Sequence, residues 1–135
     1  MYYKYIYTIL YIFILEFIWI YLINLNKYAS VTKNIQKNKL KLNIKYTIIT
    51  YIILLFSIFF LAIPFTKSKI KKKNSFNISI LKSLLYGGLV GFFIYGIYNF
   101  TSLSIYNNYS LNIAIMDTLW GIFLYSTSVT LYLFI

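Results

Sequence analysis

Four long apolar stretches constrain this chain more than any other feature: residues 5–23, 46–63, 80–100 and 111–135. A helix needs roughly 20 mostly apolar residues to cross the hydrocarbon core of a bilayer, at about 1.5 Å of rise per residue. Each stretch meets that requirement. None alternates polar and apolar residues as a barrel strand must. The first holds one charge and the second none, and the second is expected to stop at Pro64, the chain's single proline. The third carries Lys82 at its mouth, and the fourth holds one charge. The pattern predicts an all-α integral membrane protein, a four-helix transmembrane bundle forming one domain over residues 1–135. The first stretch exceeds a signal-peptide core and no small-residue cleavage site follows it, so it is expected to remain as an anchor.

Composition agrees. Of 135 residues, 61% are apolar and 11% charged. A soluble domain of this size runs nearer half apolar, with about a quarter charged. The chain has no Cys and no His. Disulfides, thiolate sites, zinc centres and the usual general bases lose their main residues. The expectation is a protein that is not an enzyme and uses no metal or cofactor. Ile, Lys, Asn, Tyr and Phe make up more than half of the chain, and all five have A- and T-rich codons. A single Lys, Asn or Tyr is therefore a weak functional clue.

All thirteen basic residues are Lys. Lys27, Lys33, Lys37, Lys39, Lys41 and Lys45 fall between the first two stretches; Lys4, Lys82 and a dense run from Lys67 to Lys73 belong to the opposite face. Six against seven does not orient the chain, although the dense run leans toward cytoplasmic termini. In the first connection Tyr28, Val31 and Ile35 share a helical face, then Leu40, Leu42 and Ile44 alternate with polar residues. That arrangement suits the headgroup zone. The Lys-rich loops read first as topogenic, solvated charge, with anionic lipid headgroups as the alternative partner, at about 1 kcal/mol per Lys near the surface. Nucleic acid is not an expected partner, because the net charge of +11 is divided between two membrane faces. Three Asn-x-Ser/Thr sequons, at Asn77, Asn99 and Asn108, lie within or close to the stretches, where glycosylation is not expected.

The two acids carry the most information. Glu16 and Asp117 both lie inside apolar stretches, where an ionised group costs several kcal/mol. Each is followed three residues later by Trp, at Trp19 and Trp120, so acid and indole share a helical face. Glu16 lies about 10 Å from the first-connection end of its stretch, and Asp117 about 9 Å from the third-connection end of its own. Those ends are on the same side of the membrane, so the acids come to one level. Asn99 ends the third stretch on that side. Glu16, Asn99 and Asp117 are expected to form a polar cluster with Trp19 and Trp120, and with Tyr98, Thr101 and Thr118 as hydrogen-bond partners. Close carboxyls in a low dielectric do not both ionise cheaply, so at least one is expected to carry or share a proton. Such a cluster either ties helices together, at about 0.6 to 2 kcal/mol per bond, or handles protons for transport.

The third stretch also carries small residues four apart, including Ser83, Gly87 and Gly91. This spacing lets another backbone approach closely, within the chain or in a second copy. Gly121 lies one turn beyond Asp117 and opens the same opportunity beside the acid.

From Gly87 to Gly121 the chain resembles a family of small four-helix membrane proteins known as domain of unknown function 2177. The family has a Gly-rich third helix ending in Tyr-Asp-apolar-Thr-Asn, a short loop, and Asp-x-x-Trp-Gly. Here the matching residues are Tyr98-Asn99-Phe100-Thr101-Ser102 and Asp117-Thr118-Leu119-Trp120-Gly121. Its first-helix Asp-x-x-Trp corresponds to Glu16 through Trp19. Glu16 and Asn99 each replace an Asp, Ser102 replaces an Asn, and residues 105–112 lack the family's Gly and Trp-Pro. The resemblance implies the four-helix architecture and the polar cluster, and brings no activity with it. The family includes bacterial, algal and large-DNA-virus members; an AT-rich giant-virus source would suit the composition. The expected function is structural or membrane-organising, with a small proton-coupled carrier using Glu16 and Asp117 as the alternative. Homo-oligomerisation is open to either.

Overall fold

The computed structural model describes residues 2–135, and those residues form four long helices: α1 (Tyr2–Gln36), α2 (Ile44–Lys69), α3 (Phe76–Ile105) and α4 (Leu111–Phe134). All four are long and apolar enough to cross a membrane. The helices outrun the apolar stretches at most ends. The third, for instance, begins at Phe76 and runs to Ile105, because polar residues in the headgroup zone continue a helix whose backbone bonds are already made.

Two departures from regular winding shape the bundle. In α1 a π-helical segment, Ile18–Asn24, follows directly after Glu16 and Phe17. The Asn24 side-chain amide donates to the Trp19 carbonyl at 3.1 Å. Helical winding then resumes from Leu25 to Gln36, so the lysine-rich segment begins as a continuation of the span and not as a separate surface helix. It ends at Lys37, whose φ of 59° is left-handed and whose N–H caps the Lys33 carbonyl at 2.9 Å. In α2 the corresponding segment is Ser57–Ala62. Pro64 does not stop this helix, contrary to the sequence expectation. It falls in the first turn of the α-helical piece Ile63–Lys69, just beyond the π segment, where a missing N–H and a fixed φ are tolerated. Ser75 and Ser110 open α3 and α4, each accepting an N–H three residues on, from Ile78 and Ile113.

Inside lipid, helices are held by close packing and polar contacts more than by hydrophobic burial. The α3–α4 pair is the tightest, and glycine makes it so. A methyl group on Gly91 would lie 2.7 Å from the Gly121 carbonyl carbon, inside contact distance of α4 backbone. One on Gly87 would meet the Tyr125 carbonyl oxygen at 3.0 Å. Ser83 and Thr130 share a hydrogen bond of 2.7 Å farther along the seam. The small-residue face of α3 is thus filled by α4 of the same chain. Beside Gly121 the space is taken by the Tyr95 side chain, whose Cβ would stand 2.6 Å from an added methyl.

α4 is the centre of the bundle and buries ten residues, among them Trp120, Leu124, Tyr125 and Val129. α1 adds Ile12, and the second half of α2 adds Ile58, Ala62 and Ile63 to the same core. The first half of α2, Ile44–Phe56, buries none. Large apolar side chains such as Phe60, Ile97 and Leu119 face outward, as lipid-facing residues do.

Candidate functional site

The site lies where α1, α3 and α4 meet, toward the end of the bundle that carries the first and third connections. Asp117, nearly two turns into α4, accepts on both oxygens. The Tyr28 hydroxyl donates to Oδ1 at 2.6 Å and the Asn99 amide to Oδ2 at 2.8 Å. Asn99 is fully buried and uses the rest of its amide as well. Its Nδ2 also donates to the Tyr95 carbonyl at 2.9 Å, and its Oδ1 accepts from the Tyr109 hydroxyl at 2.7 Å. Glu16 is 6% exposed. Its Oε1 accepts from the Trp120 indole at 2.9 Å and from the Tyr95 hydroxyl at 3.3 Å.

The two acids are joined through their tryptophans. Trp19 and Trp120 stack with ring centres 4.4 Å apart and planes within 2°. Trp19 donates to the Tyr28 hydroxyl at 3.0 Å, so Tyr28 accepts from one indole and donates to Asp117. The π segment of α1 sets this geometry, since it separates Glu16 from Tyr28 by wide turns and carries Trp19 between them. Tyr109, in the short connection between α3 and α4, is pushed up to about 12 by burial, with Tyr98 and Asp117 adding to the shift. It therefore stays a neutral hydroxyl donor at physiological pH.

A cavity of about 520 Å³ reaches both acids. Glu16, Ile20 and Tyr21 of α1 line it, with Tyr95 and Tyr98 of α3 and Asp117 and Tyr125 of α4. Much of its other wall is the unburied first half of α2, with Thr47, Thr50, Tyr51 and Leu54, followed by Ser57 at the start of the π segment. Ser57 and the Tyr125 hydroxyl, both in the lining, share a hydrogen bond. Ile53 and Tyr98, both exposed, form part of the lining, so the cavity is continuous with the outer surface of the bundle. No lysine lines it.

The residues expected from sequence are distributed unevenly. Glu16, Trp19, Asn99, Asp117 and Trp120 come together. Tyr98 lines the cavity but its side chain is largely exposed and bonds to neither acid. Thr101 is exposed and outside the cluster; it sits on the far side of α3 from Asn99, two residues away on a helix. Thr118 is buried but spends its hydroxyl on the Ala114 carbonyl of its own helix, at 2.7 Å. Besides Trp120 and Asn99, the donors to the acids are Tyr28 and Tyr95, and Tyr109 joins the network through Asn99; none of these three tyrosines was anticipated. Only Tyr95 left a signal, lying four residues before Asn99 and so on the same face.

Four helices long and apolar enough to cross a membrane, packed around a polar network, define a small multi-pass integral membrane protein. The chain belongs to the family described as Predicted membrane protein (DUF2177), whose profile matches residues 1–134. Neither the curated proteins nor the solved structures contain a match.

Proposed function

We propose that the protein is a non-enzymatic, membrane-organising bundle whose polar network fixes three of its helices as one unit. The observation that carries this reading is that the strong bonds of the network run between helices. Tyr28 of α1 and Asn99 of α3 converge on Asp117 of α4, while Trp120 of α4 and Tyr95 of α3 converge on Glu16 of α1. Inter-helix bonds of this kind contribute about 0.6 to 2 kcal/mol each in membranes. The lysines of residues 27–45 and 67–73 would hold the bundle against anionic headgroups on both faces. A second copy would dock on the outward apolar faces, because the glycine face of α3 is occupied. The weight of Ile, Lys, Asn, Tyr and Phe, residues with A- and T-rich codons, would suit a large DNA virus as the source.

A second reading, a small proton-coupled carrier, is favoured by the cavity that reaches Glu16 and Asp117. Flux from reconstituted vesicles separates the two. Equal proton leak for the wild type, Glu16→Gln and Asp117→Asn is the result expected of an organising bundle. Leak that disappears with either carboxyl would overturn that reading in favour of the carrier.

A further inference from the structure

We infer that the cavity beside Glu16 and Asp117 is a binding site for a hydrophobic organic cation: one ammonium or phosphonium centre carried on an apolar body. The inference rests on the cavity and on neither reading of the function, since binding does not require transport.

Size and lining come first. Small-molecule sites typically enclose about 300–1,000 Å³, with mostly apolar walls and a few convergent polar groups. This cavity is about 520 Å³, walled by residues such as Ile20, Leu54 and Ile94, and its charged groups are the only two acids of the whole chain. No lysine reaches in to balance them, although the chain carries thirteen. An anion is repelled here, and a neutral occupant leaves the negative charge unmet in a low-dielectric setting.

The hydrogen bonds then select the kind of cation. Both oxygens of Asp117 and Oε1 of Glu16 already accept protein donors. Among the described residues, nothing donates to Oε2 of Glu16. A hard metal ion asks for about six oxygen ligands, and one free carboxylate oxygen among apolar walls falls far short. An organic cation asks only for a counter-charge and polarisable faces. Tyr51, Tyr95 and Tyr98 supply those faces within the same lining. The exposed rim at Ile53 and Tyr98 gives a lipid-soluble molecule a sideways entry.

The chain's only tryptophans, Trp19 and Trp120, stack beside Glu16 and report occupancy by their fluorescence. The experiment titrates full-length protein in phosphatidylcholine nanodiscs with tetraphenylphosphonium, and in parallel with tetraphenylborate, an anion of matching shape. The expected result is a saturable change for the cation and only non-saturable partitioning for the anion. Glu16→Gln and Asp117→Asn each weaken the cation by at least about tenfold. Thr50→Phe, on the exposed wall of α2 and away from the acids, narrows the cavity and is expected to abolish saturation with the carboxyls intact. It decides the matter if either carboxyl variant fails to fold by circular dichroism. Equal responses to cation and anion, or saturable cation binding unchanged in Thr50→Phe, would overturn the inference. Saturable binding together with equal vesicle leak in all variants leaves a binding site without a carrier.

Discussion

Asn99 and Asp117 stand eighteen positions apart in sequence and one hydrogen bond apart in space, with Nδ2 to Oδ2 at 2.8 Å. The bond needs an amide, or a protonated acid, on the α3 side. Asn99 is also held from behind by Tyr109, so its amide is oriented before Asp117 meets it. Replacing Asn99 with Asp would press two carboxyls together in a nearly dry setting. Asn99→Asp is expected to lower stability by about 2–4 kcal/mol at neutral pH and to recover much of it in acid, when the pair shares a proton. Unfolding in mixed micelles across pH checks this. An Asn99→Asp protein as stable as wild type at pH 7 contradicts it.

Tyr28 and Asn99 grip the same carboxyl from two different helices. Tyr28→Phe removes the bond to the Asp117 carboxyl and leaves the Trp19 indole without its acceptor. It is expected to cost about 1.5–3 kcal/mol. Combined with Asn99→Leu in a double-mutant cycle, the losses should be non-additive by at least about 0.5 kcal/mol, because each variant changes how Asp117 is solvated. Strict additivity would mean that the two donors act independently.

The seam between α3 and α4 should be intolerant of a single methyl group. Gly91→Ala drives a carbon into the Gly121 backbone, which is not able to rotate away as a side chain does. The expected cost is about 1–3 kcal/mol. Gly96→Ala is the internal control, since its added methyl would meet only ordinary contacts at 3.8 Å or more. Comparable melting temperatures for the two variants would refute the close crossing.

Tyr109 gives a pH signature. Its folded-state value, about 12, lies above the ordinary phenol value of 10, so burial favours the neutral form. The stability it contributes is complete below about pH 10 and is lost as pH rises from 10 toward 12. The stability gap between wild type and Tyr109→Phe should stay constant from pH 7 to 10 and narrow above that. A gap that widens with alkali has the wrong sign.

Much of this arrangement is written in the residues. The four spans follow from apolar runs alone, and the common height of Glu16 and Asp117 follows from counting rise along two antiparallel helices. The π segments are not legible, because apolar periodicity over seven residues looks alike for wide and regular turns. The apolar run itself ends before Asn24, Asn26 and Lys27, so the sequence places the end of the first span near 23, and Tyr28, beyond that limit, is not connected to Asp117. The tyrosines were hidden for a different reason. Sixteen of them occur in the chain, so no one of them stood out. Thr118 misled because a hydroxyl inside a helix finds its own backbone first, and Thr101 because two residues on a helix carry it to the opposite face from Asn99.

The first half of α2 supplies a wall without supplying anchorage, since none of its residues is buried. Substitutions along Thr47, Thr50 and Ile53 can therefore reshape the chamber at little thermodynamic penalty, while those at Glu16, Asn99 or Asp117 cannot. That separation leaves one side of the chamber free to change shape while the carboxyls on the other side keep their bonded positions.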